Sequence, residues 1–152
     1  MSLIRLALAA GLLLAPAVAL AGPATDPAAV ASIRAGHHDC PHCQLAHADL
    51  TNTCVKHGNL EGADFDGAKL KLMCMSFGDF RHASFRGTDL SGANLAHAIL
   101  DDADLSGARL NITSFKGTDL THAKGLTQSQ LDLACGDKDT RLPASLHVRT
   151  CS

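Results

Sequence analysis

Cys40-Pro41-His42-Cys43 sets two thiols three residues apart with an imidazole between them. Thiols at that spacing can cycle between dithiol and disulfide, or supply two ligands to a metal. Cys54 and His57 follow, so Cys40, Cys43, Cys54 and His57 read C-x2-C-x10-C-x2-H, close to a structural zinc spacing. His37 and His38 bring two more imidazoles to the same neighbourhood. Further along, His82, Asp102 and His122 recur at twenty-residue steps, three ligand types in register. Ser, His and Asp are all present, but no spacing sets a nucleophile beside a base and its orienting acid.

The compartment bears on which chemistry survives. Residues 1–5 carry one charge, Arg5, and residues 6–20 are almost wholly apolar. Ala19-Leu20-Ala21 is a small-x-small cleavage site, so residues 1–21 read as a secretory signal peptide. Pro16 interrupts the apolar run, which is short of the ~20 residues a membrane span needs. No Cys follows the cleavage site, which argues against a lipoprotein. The expected product begins near Gly22, lies in the periplasm or outside the cell, and does not insert in a membrane. Exported thiols oxidise, so the six cysteines favour disulfides over a metal site.

The scaffold that must position these groups is written in the apolar pattern. Every fifth residue from Leu45 to Leu120 is large and apolar, sixteen in all, including Leu60, Phe65, Met75, Phe85, Leu95 and Leu105. With 46% of the chain hydrophobic, chance alignment is on the order of a few in a million, so the pattern is an internal repeat. A period of five is neither a helix nor a flat strand; it suits a chain that turns a corner every five residues. The residue two before each centre is Ala, Gly or Thr except at Cys43 and Met73. Met73 beside Met75 is expected to be accommodated by its compliant thioether and by nearby Gly78. The remaining three positions are polar and Gly-rich and are expected to face water.

Ala63-Asp64-Phe65, Ala93-Asn94-Leu95 and Ala103-Asp104-Leu105 resemble the Ala-(Asp/Asn)-Leu-x-x repeat of pentapeptide-repeat proteins. The resemblance covers residues 43–125. It implies an all-β fold, a right-handed quadrilateral parallel β-helix with four repeats per coil and about four coils. Stacking by twenty residues then sets Phe65 under Phe85 and aligns Asp49, Lys69, Asp89 and Arg109 in a column of alternating sign, with Glu61, Arg81 and Asp101 in another. Cys54 and Cys74 come one coil apart, within disulfide reach. Cys40 with Cys43 and Cys135 with Cys151 complete one of fifteen possible pairings.

Open coils need caps. Asp26-Pro27 ahead of an Ala-rich run ending at Gly36 reads as a helix in the N-terminal cap, residues 22–42. Thr127 and Gln130 form a capping box with Leu126 and Leu131 as staple, and that helix is expected to reach about Cys135 and stop at Gly136. Residues 126–152 make the C-terminal cap, which looks like the end cap of exported proteobacterial members, with 144–152 loosely ordered apart from Cys151.

Function is less legible. Cys40-Pro41-His42-Cys43 resembles the active site of periplasmic disulfide oxidases of the thioredoxin fold, but no βαβ unit surrounds it. A prism of flat faces offers no catalytic cleft, so no enzyme and no cofactor is expected. The leading reading is a structural or protein-interaction module, monomer or weak dimer, with an unknown protein partner. The alternative is a metal- or redox-responsive envelope protein using His37, His38, Cys40, Cys43, Cys54 and His57. The resemblance adds a third, a DNA-mimicking gyrase binder. Ten acidic against eight basic residues over 43–125, together with export, argue against that reading and against a nucleic-acid partner.

Overall fold

The computed structural model describes residues 25–152. The signal peptide expected over 1–21 lies outside the described residues. From His42 to Gly117 every fifth residue has a positive φ, between 55° and 70°. A left-handed residue there lets the chain turn a tight corner. The turn recurs so often that the chain pairs with its neighbour through single-residue bridges rather than long strands.

These bridges are all parallel and fall in four columns, here numbered as walls. Wall 1 runs Gln44, Asp64, Ser84, Asp104, Lys124; wall 2 runs Asp49, Lys69, Asp89, Arg109. Wall 3 runs Cys54, Cys74, Asn94, Ser114, Cys135; wall 4 runs Asn59, Asp79, Ile99, Asp119, Arg141. Two hydrogen bonds per rung hold each column: Phe65 N–H donates to the Ser84 carbonyl at 2.8 Å, and Ser84 N–H to the Ala63 carbonyl at 3.0 Å. The backbone polar groups are thereby satisfied up and down the stack.

The Asp/Asn of the motif closes the turn that follows it. Its side chain accepts the backbone N–H two residues on, as in Asp64 from Asp66 at 2.9 Å, Asn94 from Ala96 at 3.0 Å and Asp119 from Thr121 at 3.0 Å. This is the Asx turn, which the short carboxylate or amide is suited to make.

The repeat centres are buried, with Leu60, Phe85, Leu95 and Leu105 fully enclosed. Phe65 and Phe85 stack at 5.0 Å with planes 5° apart, and Phe80 tilts against both. Alanines fill the small inward position; where Thr replaces Ala its hydroxyl finds a carbonyl. Thr88 donates to Phe65 at 2.6 Å, Thr113 to Leu90 at 2.8 Å and Thr118 to Leu95 at 2.7 Å. Burying these hydroxyls therefore leaves no orphan. Met73 is fully buried, but Gly78 makes room for a different neighbour: a Cβ there would meet the Phe80 ring at 2.5 Å.

Helix α1, Pro27–Arg34, begins at Asp26, whose carboxylate accepts from Ala28 N–H at 2.8 Å. Its Ala29 and Ile33 close the first rung from below. At the other end α2 is shorter than expected, Gln128–Leu131, with the Thr127–Gln130 capping box in place. Cys135–Gly136 is not helix but strand β1, and it pairs in parallel with β2, Arg149–Thr150. The tail expected to be loose is therefore part of the sheet. The reason is an open edge: Ser114 still has bridging groups to satisfy, Cys135 takes them, and Arg149 takes those of Cys135. Gln130 closes wall 2 differently, its amide donating to the Leu105 and Ala108 carbonyls at 2.9 Å each.

Candidate interaction surface

The cysteines meet in three pairs. Cα separations are 5.5 Å for Cys40 and Cys43, 4.6 Å for Cys54 and Cys74, and 4.9 Å for Cys135 and Cys151. That pairing disperses the C-x2-C-x10-C-x2-H set. Cys54 faces Cys74, His57 stacks on Phe77, and His37 Nδ1 lies 3.3 Å from the Ser32 carbonyl. Among the described residues no three His, Cys, Asp or Glu side chains converge on a point that could hold a metal. His82 and Asp102 approach to 3.9 Å, but Asp102 pairs more closely with Lys124, at 2.9 Å, and His122 turns to Asp101 at 3.5 Å.

The column of Asp49, Lys69, Asp89 and Arg109 stands in register as expected, but the ion pairs do not all run along it. Asp89 pairs with Arg109 at 3.8 Å and with Lys71, around the corner, at 3.4 Å, while Lys69 makes no ion pair among the described residues. Arg81 reaches Glu61 at 3.4 Å and its own turn residue Asp79 at 2.6 Å. That guanidinium hydrogen bond holds the Asp79 carboxyl below its ordinary range despite some burial. Asp119 is held low first by the Thr121 hydroxyl and then by the Thr121 N–H. Apart from the Arg81–Asp79 contact within one turn, these pairs join neighbouring rungs or corners, and they leave walls 1, 2 and 4 mixed in sign.

Wall 3 is different. It is bordered by the corner residues 51–52, 71–72, 91–92 and 111–112 on one side, and by 56–57, 76–77, 96–97 and 116–117 on the other. No Asp or Glu occurs in segments 51–57, 71–77, 91–97 and 111–117, so all ten acidic residues of 43–125 lie elsewhere. Lys56, Lys71 and Lys116 are the cations of these segments.

The expectation that outward positions are polar fails along these same corners. Leu72, Phe77 and Ile112 are 61%, 50% and 72% exposed, and Leu133 is exposed beside them, its carbonyl accepting from Ile112 N–H at 2.7 Å. Ile99, on wall 4, is the remaining large exposed apolar residue among those described. Phe77 stacks between His57 and His97, 4.9 Å from each.

Leu72, Phe77 and Ile112 also hold φ of 55°, 60° and 58°. A non-glycine residue in that region costs roughly 1–2 kcal/mol, and bulky or β-branched side chains are the least suited to it. Glycine occupies the equivalent corner at Gly62, Gly67, Gly87, Gly92, Gly107 and Gly117. The fold thus accepts glycine here, and the exposed side chains recover little by burial. At the top of wall 3, Ile112, Ser114, Lys116, Cys135, Arg149, Thr150, Cys151 and Ser152 line a cleft of about 280 Å³. The sequence signal for this surface was a large apolar residue two positions after a repeat centre, where the motif wants glycine or a short polar side chain.

Among the described residues no helix is long and apolar enough to cross a membrane. A comparison with curated proteins found no match. A pentapeptide repeat protein from the thylakoid lumen of Arabidopsis thaliana is 30% identical, with a TM-score of 0.55, over 64% of this chain and 74% of that one. A pentapeptide repeat protein from Nostoc PCC 7120 is 25% identical over 80% of this chain and 99% of that one, with a TM-score of 0.42. QnrB1, a plasmid-mediated fluoroquinolone resistance protein, is 16% identical over 70% of this chain and 68% of that one, with a TM-score of 0.26. The model of the family described as pentapeptide repeats matches 8 copies, over residues 43–76, 79–111, 88–124 and 98–134. Matched over more than half its length and wound as the members of that family are, in a right-handed β-helix, the chain belongs to the pentapeptide-repeat proteins.

Proposed function

We propose that this chain is an exported, non-enzymatic scaffold whose body binds another protein. In this reading residues 1–21 are removed on export, and 43–125 form a four-sided prism of about four coils. Residues 22–42 and 126–152 cap it, and the three cysteine pairs are disulfides formed in the periplasm or outside the cell. The observation that carries the binding role is the exposure of Leu72, Phe77 and Ile112 at corners where glycine would serve the fold. Backbone strain retained without a folding benefit is a mark of function. Cysteine proximity supports an oxidising compartment, and one similar structure comes from the thylakoid lumen. With its thiols taken up in pairs, the Cys/His-rich cap has little left to offer a metal.

The test is photo-crosslinking in intact cells, with a photoreactive residue placed on each wall in turn. A discrete protein adduct from at least one wall is the expected result. If adducts form from none, and the processed chain is retained by no cellular fraction, the scaffold role is wrong.

A further inference from the structure

Wall 3 combines three properties that the other walls lack together. Over its four lower rungs its segments carry cations and no carboxylates, its two corners carry the exposed apolar side chains, and a cleft opens at its upper end, where Asp137 accepts from Gly117 N–H and Asp132 from the Gln128 amide. Lys56 and Lys116 make no ion pair among the described residues, and Lys71 is half-exposed although it reaches Asp89. Lys116 also lines the cleft, beside Ile112 and Arg149. The aromatic column of His57, Phe77 and His97 runs up one border, and Leu72 and Ile112 stand on the other.

We propose that wall 3 with its two bordering corners is a docking surface for an acidic polypeptide segment bearing interspersed large apolar side chains. This rests on the scaffold reading above and names the working face and the partner's chemistry. Charge complementarity selects the partner's sign: lysines among four successive rungs without carboxylates favour an approaching acid and penalise a base. Exposed Leu72, Phe77 and Ile112 supply apolar contact, which rewards large side chains on the partner. Nucleic acid fits less well, because three lysines and one arginine are few for a phosphate track and the corners are apolar. A second copy fits less well too. A two-fold contact would set wall 3 against itself and bring lysine toward lysine. In the other walls Asp89, Asp79, Asp102 and Asp119 are already paired with Arg109, Arg81, Lys124 and Arg141.

The experiment uses the processed chain, labelled with nitrogen-15, and two synthetic peptides. One repeats Glu-Leu-Glu-Phe; the other has Lys for every Glu. Anionic phosphatidylglycerol vesicles form a third arm, and sedimentation reports self-association. The acidic peptide is expected to shift amides of segments 51–57, 71–77, 91–97 and 111–117, with weaker binding at higher salt. The basic peptide and the vesicles are expected to leave them unmoved. Leu72→Gly with Ile112→Gly should weaken binding about tenfold. Because glycine is the common corner residue of this chain, the variant keeps its fold, which its melting curve checks. Lys116→Glu should weaken binding in the same direction.

The proposal is overturned if the acidic peptide shifts another wall or none, or if the basic peptide binds equally. It is also overturned if vesicles or a second copy occupy wall 3, or if the glycine variant binds unchanged. Cellular crosslinks arising from wall 1, 2 or 4 and not from wall 3 would remove this docking site while leaving the scaffold role intact.

Discussion

The imidazole of His97 occupies the space that a side chain at Gly117, one rung above, would need, and Phe77 is stacked on it at 4.9 Å from the other side. His97 has no free direction along the column. Gly117 also holds φ of +64° and donates its N–H to Asp137 at 2.9 Å. Gly87, at φ +63°, has nothing within 4 Å of where its Cβ would stand. Gly87→Ala should therefore cost only the left-handed strain, about 1 kcal/mol. Gly117→Ala should cost that plus roughly 1–3 kcal/mol of overpacking. Urea midpoints of the two variants check the difference.

Ile112→Gly should stabilise the fold. The side chain is 72% exposed at φ +58°, so its removal relieves strain and gives up little burial. Glycine's freedom in the unfolded chain offsets part of the gain, leaving about 0.5–1 kcal/mol. Calorimetry that showed a clear loss of stability would mean Ile112 packs usefully in solution.

Phe65→Ala and Phe85→Ala should each cost about 3–5 kcal/mol, because both rings are fully buried and stacked on one another. The double variant should cost less than the sum, since either change alone already removes the shared contact. Leu95→Asp should abolish the fold, as a carboxylate there would be enclosed without a partner.

Acid should loosen the body at its turns. The Asp119 carboxyl is held below its ordinary value by the Thr121 hydroxyl and N–H, and Asp49, Asp79 and Asp104 are shifted the same way. With folded values depressed, the unfolded chain takes up protons first as pH falls. The stabilisation is whole above the unfolded aspartate value of about 3.9 and is lost as pH drops through the folded values. Asp119→Asn keeps an acceptor at the turn, as Asn59 and Asn94 already provide. It should lose less stability than the native chain between about pH 5 and pH 2, with a small cost near neutrality from the exposed Arg141 pair at 3.5 Å. Denaturation followed across pH tests this.

Cys135→Ser with Cys151→Ser should free the tail without unwinding the coils. β2 is two residues long, and outside that sulfur pair it is held by the Cys151 N–H to Gly136 and Arg149 to Ala134 hydrogen bonds. Hydrogen exchange should rise over 144–152 and stay slow at Phe85 and Leu105, whose amides lie within the stack.

The five-residue rhythm settled which side chains are enclosed, because inward and outward positions alternate within one repeat and each repeat obeys the same local rule. Leu60, Phe85 and Leu105 could be assigned to the core without coordinates. The Asp26 start of α1 and the Thr127–Gln130 box were equally local, since a cap is made by residues within three of one another. What lay between repeats was not. Helix α2 ends at Leu131 because the chain must return to wall 3 at Cys135 and to wall 4 at Arg141, spacings set by the open edge rather than by period. Lys71, not Lys69, reaches Asp89 because the ion pair crosses a corner. Leu72, Phe77 and Ile112 came together around four rungs without carboxylates only when the coils stacked. Their left-handed strain belongs to φ angles, which a one-dimensional pattern of apolar and polar residues does not contain.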